Sequence, residues 1–105
     1  MLFVILVAAS CAADSGTHAA PEVVRCVVES PSGKTCYQHT TTEPQARVQL
    51  QEECAGSFDA DACDDANALG TCHLGDVDTV VYKPYANLSG FVDVCRMNGG
   101  DWEPR

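Results

Sequence analysis

The side chains with the most chemistry to offer are the seven cysteines: Cys11, Cys26, Cys36, Cys54, Cys63, Cys72 and Cys95. Thiols at this density bind metal as thiolates, exchange as a redox pair, or oxidise to disulfides. No Cys-x-x-Cys occurs, and that close spacing is what zinc knuckles and dithiol exchange both use. Cross-linking remains. Setting Cys11 aside leaves six, an even and dense set that in a small exported chain reads as three disulfides.

Other candidate sites fare less well. Asp59, Asp61, Asp64 and Asp65 offer oxygen ligands of the kind Ca2+ takes. Counted from Asp59, however, Cys63 stands at position 5, Asp64 where an EF-hand turns on Gly, and Gly70 where it needs a bidentate Glu. A solvated acidic connector is the simpler reading. His18, His39 and His73 are widely spaced, without the His-x-His or Cys/His clustering that holds zinc, and read as surface histidines. Glu52 and Glu53 are adjacent on a helix and point in different directions, so they do not converge on one substrate atom. No Gly-x-Ser-x-Gly marks a nucleophile. We therefore expect no enzyme, no metal and no cofactor. Among the aromatics, Phe58, Phe91 and Trp102 read as core. Tyr82-Lys83-Pro84-Tyr85 sets two amphipathic rings around a base and a rigid Pro, and Tyr82, Lys83 and Tyr85 become the candidate interaction surface. Asn87-Leu88-Ser89 is a glycosylation acceptor on a eukaryotic secretory route only.

The N-terminus sets the compartment. Positions 2 to 9 are all apolar, too short a run for a membrane span of roughly 20 residues but suited to an export signal. No Lys or Arg precedes it, the first basic residue being Arg25. Ala8-Ala9-Ser10-Cys11 resembles the lipobox of bacterial lipoproteins, with Ala at the first position where Leu is usual. That resemblance implies a diacylglycerol thioether on Cys11 and an acylated new N-terminus, palmitate being the usual chain length. At ~0.8 kcal/mol per buried CH2, two or three chains anchor a protein firmly. The alternative is an ordinary signal peptide with Cys11 discarded. We expect residues 1–10 to be the signal, 11–21 a flexible tether of small and polar residues, and 22–105 the disulfide-rich domain.

Fifteen acids against six bases give a formal charge of −9. The bases are scattered, so no patch tracks phosphates, and nucleic-acid binding is excluded.

The elements that must position the cysteines follow from local patterning. Val23 to Val28 is rich in β-branched residues, Ser30-Pro31-Ser32-Gly33 is a turn, and Lys34 to His39 returns, so Glu22 to His39 is a hairpin. Thr42 caps a helix with Gln45 as reciprocal partner and Pro44 in its first turn. Ala46, Leu50 and Cys54 fall on one narrow face of it, and Gly56 ends it. Gly70 to Leu74 and Val77 to Tyr82 flank Gly75-Asp76 as a second hairpin. Asn87 caps a second helix with Leu88, Phe91 and Cys95 on one face, although Gly90 inside it costs up to ~1 kcal/mol. The two runs share an order: Gly, Thr-Cys, helix, Cys, Gly, aromatic. Offsets of 36 residues between Cys36 and Cys72 and 41 between Cys54 and Cys95 describe a two-unit duplication, 22–62 and 63–105. It predicts Cys36 with Cys54, Cys72 with Cys95, and Cys26 with Cys63 between units. The fold expected is α+β: four short strands in a small antiparallel sheet, two helices on one face, stapled by disulfides because so small a domain buries little.

Gly70-Thr71-Cys72, Tyr82, Cys95 and Gly99-Gly100-Asp101-Trp102 together resemble small cysteine-rich lipoproteins of some large-genome bacteria. The first unit matches only partly, through Ala55-Gly56-Ser57-Phe58. The resemblance implies a compartment and no activity. The expectation is a structural or interaction module, lipid-anchored in the bacterial cell envelope and binding a protein or glycan. A secreted, protease-resistant effector or inhibitor is the alternative; a calcium module or enzyme ranks behind both.

Overall fold

The computed structural model describes residues 21–105. The signal, Cys11 and His18 lie outside the described residues. The domain is α+β, with the element order β1 (Glu22–Ser30), β2 (Gly33–Thr41), α1 (Pro44–Glu53), β3 (Ser57–Asp59), β4 (Ala68–Leu74), β5 (Val77–Tyr82), α2 (Leu88–Met97) and β6 (Asp101–Pro104). Among the described residues all six strands join one antiparallel sheet in the order β3-β1-β2-β5-β4-β6.

Both hairpins close as the turn residues require. Ser30 pairs with Gly33 across Pro31-Ser32, and the Ser30 hydroxyl accepts from the Ser32 amide at 3.2 Å. Leu74 pairs with Val77 across Gly75, whose φ of 60° suits a residue without a Cβ. The entry to α1 differs from expectation. Glu43, not Thr42, sits at the N-cap and makes no side-chain cap; the chain is instead turned by Thr41, whose hydroxyl accepts from the Glu43 amide at 3.1 Å. Asn87 does cap α2, accepting from the Gly90 amide at 3.2 Å. A Cβ on Gly90 would strike that Asn87 carboxamide, so the glycine that weakens the helix is what lets the cap form.

The expected four strands are six. β3 and β6 follow the two helices at Gly56 and Gly100, where the sequence pattern showed only helix stops. Their positions dictate the cross-links. β2 and β3 both run antiparallel to β1 and are therefore parallel to each other, so the chain must cross over β1 between them. α1 makes that crossing and brings Cys54 to β1. In the same way α2 carries the chain from β5 over β4 to β6 and brings Cys95 to β4. The disulfides are Cys26–Cys54, Cys72–Cys95 and Cys36–Cys63. Cys72–Cys95 is as expected. Cys36–Cys54 and Cys26–Cys63 are corrected, because β1, and not β2, is the strand that answers to β4.

Register makes the correspondence concrete. Phe58, Cys26, Tyr37, Thr79, Cys72 and Trp102 are successive cross-strand partners from one edge of the sheet to the other. Aromatic, half-cystine and central residue are met in mirrored order from both edges. Partners across an antiparallel sheet share a face, and Cys26 and Cys72 bind the two helix cysteines, so both helices lie on this face. Cys36 is one residue out of phase and faces the other side, out of α1's reach. There it binds Cys63 in the connection between β3 and β4.

That far face holds a buried cluster of Cys36, Val80 and Tyr82, with Val27, Cys63 and Ala68 packed against it. Seven hydrophobic residues are buried in all among the described residues, and three of them are half-cystines. Closing loops with separations of 28, 27 and 23 residues, each bond contributes about 3 kcal/mol. Together they match the whole net stability of an ordinary domain, about 5–15 kcal/mol. The staples do the work of a larger core.

Candidate functional site

The two faces of the sheet are finished differently. On the far face, the connection of residues 60–67 is held down at several points. The Tyr82 hydroxyl donates to the Asp64 carbonyl at 2.6 Å, the Cys63 amide donates to the Gln38 side chain at 2.8 Å, and Arg25 donates to the Ala62 carbonyl at 2.8 Å. The acidic residues serve this connection. Asp61 and Asp64 accept from the Ala62 and Ala66 amides. Asp59 pairs with Arg25 and Asp65 with Arg105.

Tyr82 is therefore misplaced as a surface residue. It is only 4 % exposed, its ring lies under the Lys34 ammonium at 4.7 Å, and burial beside the Asp64 carboxylate raises its phenol above the ordinary range. Tyr85 is half-buried, packed edge-on against Phe91 at 5.9 Å, with the neighbouring Ala86 amide donating to the Ser32 carbonyl at 2.8 Å. It ties the second unit to the first hairpin. Lys83 alone of the three is exposed. Phe58, Phe91 and Trp102, expected as core, are half-buried; Phe91 and Trp102 meet edge-on at 5.9 Å.

His73 anchors the β6 edge on the same far face. Its Nδ1 lies 2.8 Å from Asp78 and its Nε2 2.7 Å from Glu103, and Asp101 is its direct cross-strand partner on β6. The hydrogen bond to Glu103, then that to Asp78, raise its pKa above the ordinary 6.5. The carboxylates sit at opposite ends of the ring, so the three groups bridge strands and do not converge on a point.

The helix face is left open in the middle. α1 buries none of its side chains; Ala46 and Leu50 are half-buried against the sheet, and Val48 on its outer side is exposed. Along the seam between α1 and β2 run two contiguous depressions of about 350 and 330 Å3 that share His39, Leu50 and Glu53. One continues over Cys26, Val28, Tyr37 and Ala55, the other over Thr40, Thr41 and Ala46 to Asp76. Tyr37 stands 37 % exposed at the centre of the sheet, and Leu74 38 % exposed at the β4–β5 turn. Between them on the same face lie the half-buried His39, Val77 and Thr79. This groove is the candidate site. No single segment encodes it, because its floor comes from the central strands and its wall from α1. One sequence signal for it is the α1 stripe, too narrow to cover the sheet beside it.

The groove is apolar and partly aromatic over Cys26, Val28, Tyr37 and Leu50, more polar over Thr40, Thr41 and Gln49, and carries Glu53 and Asp76 as its acidic residues. No Lys or Arg lines either depression. Such a surface binds by shape and burial, with orientation set by charge at the rim. No protein-family model, curated protein or solved structure matches the chain.

Proposed function

We propose that the chain is an exported interaction domain, held at the cell envelope by lipid on Cys11, that offers the groove between α1 and β2 to a protein partner. The observation that carries this reading is the partly open strip of Tyr37, His39 and Val77, beside Leu50 of α1, on a sheet face otherwise roofed by helices. A domain short of core would gain by closing a helix over that strip; leaving it open fits a surface that is closed by something else. Three disulfides support an oxidising compartment, and the lipobox-like tetrad supports the anchor.

The test has two arms. A photo-crosslinking residue is placed at Leu50 and, as control, at Asn98 on the far end of α2, and the protein is irradiated in its native envelope. Discrete protein adducts at position 50 and none at 98 are expected; equal labelling at both positions, or none, removes the groove from consideration. The intact mass of the mature natural protein then reports the anchor, since acylation at Cys11 adds its chains to the mass of residues 11–105.

A further inference from the structure

We infer that the groove receives a lysine- or arginine-bearing segment of the partner, its aliphatic stem on Leu50 and Tyr37 and its charge at Glu53 and Asp76. The inference deepens the docking reading above and rests on it.

Both halves of the required chemistry are present, and neither carboxylate is paired with a cation among the described residues. The floor is aliphatic and aromatic, which suits the methylene stem of a long basic side chain, and its head reaches polar surroundings at the rim. The exposed Tyr37 ring adds a face over which a guanidinium or ammonium is attracted. Glu53 lines both depressions, and its carboxylate's hydrogen-bond partner is a neutral amide, Gln49 Nε2 at 3.3 Å. Asp76 closes the other end. Four of the protein's six cations are engaged elsewhere, Arg25, Arg47 and Arg105 with Asp59, Glu22 and Asp65 and Lys34 over Tyr82, and the other two, Lys83 and Arg96, do not line the groove. Among the described residues no ion pair involves Glu53 or Asp76. The whole chain carries −9, which draws cationic partners and repels a second copy of itself. A glycan would want several convergent hydroxyl-binding amides beside the ring, and Gln49 is the one carboxamide on the groove wall.

The test uses the oxidised domain and three short synthetic peptides: one alternating lysine and leucine, the same with acetyllysine, and the same with glutamate in place of lysine. Backbone amide shifts locate binding, and titration measures affinity. The lysine peptide is expected to perturb Tyr37, His39, Leu50 and Glu53, with acetylation weakening it. The E53Q/D76N double variant should weaken it about two- to tenfold, as two rim ion pairs allow. E29Q/D93N removes the same charge away from the groove and should leave affinity unchanged. Equal losses in both double variants would reduce the effect to net charge and overturn the proposal. Binding of all three peptides alike at the groove would keep the docking reading and discard the cation. Shifts elsewhere, or none, would overturn the cation and leave the docking reading to the crosslinking at Leu50.

Discussion

His73 makes the sharpest energetic prediction. A neutral imidazole carries one N–H, so it can donate to only one of two carboxylates. With Asp78 at 2.8 Å and Glu103 at 2.7 Å on opposite nitrogens, the arrangement is fully hydrogen-bonded only when the ring is an imidazolium. The carboxylates facing it are Asp78 from β5 and Asp101 and Glu103 from β6; among the described residues no ion pair brings a cation to the ring. The perturbation is H73Q, which keeps the size and one donor and removes the charge. The side chains are substantially exposed, 42 % for His73, 38 % for Asp78 and 68 % for Glu103, so solvent screens both contacts to ~0.2–1 kcal/mol each and the clamp as a whole to about 1 kcal/mol. Because the folded pKa is raised from 6.5, the contribution is complete below that value, where folded and unfolded chains are both protonated. It is lost as pH climbs from there through the folded pKa. Chemical denaturation of the oxidised proteins, wild type minus H73Q, should therefore show a gap that is widest in mild acid and closes in mild alkali. Parallel curves, or a gap that widens with pH, would refute the imidazolium clamp.

Two further predictions concern the staples and the packing they permit. Digestion of the oxidised protein after acidic residues places every one of the six cysteines on its own peptide, and the peptide pair holding Cys26 and Cys54 should appear where a Cys36–Cys54 pair would not. The C36A/C63A variant should lose about 3 kcal/mol in denaturation, with the connection between β3 and β4 becoming the first site of proteolysis. In G70A the new methyl would run into the Trp102 indole and the Glu103 carbonyl, costing about 1–3 kcal/mol. Trp102 is the only tryptophan, so a red-shifted emission would report its displacement directly, and an unshifted spectrum with unchanged stability would show that the ring does not rest on Gly70.

How much of this was legible in the sequence depended on range. Both hairpins, both helices and the Asn87 cap are written in contiguous residues: Pro31 to Gly33, Gly75-Asp76, the β-branched runs, the capping asparagine. The edge strands were not, because Ser57–Asp59 and Asp101–Pro104 are too short to show alternation and exist only where β1 and β4 receive them. The disulfide partners failed for the same reason. Matching Thr35-Cys36 to Thr71-Cys72 aligned β2 with β4, whereas strand order aligns β1 with β4. Tyr82 was misread because the loop that buries it looked like an exposed acidic linker; in β5 it shares the phase of Val80, the face the loop covers. The His73 clamp joins residues 5 and 30 positions away, which only register can bring together.

The placing of the cross-links bears on why the groove can stay open. Cys26–Cys54 and Cys72–Cys95 each tie a crossover helix to the strand it passes over, and Cys36–Cys63 ties the opposite face to its covering loop. Each bond therefore secures an element to the sheet, and α1, with no buried side chain, is the one that packs too little to fix itself. An ordinary domain would secure α1 by sinking Leu50 and its neighbours into the sheet, which would fill the seam with β2. Securing it covalently at Cys54 frees that seam from the demands of folding. Cleaving the Cys26–Cys54 link should then release α1 and erase the groove, while the pairing of β2 with β5 persists. The covalent frame and the exposed surface are in this sense linked: the more stability resides in the bonds, the more apolar surface the domain can leave open.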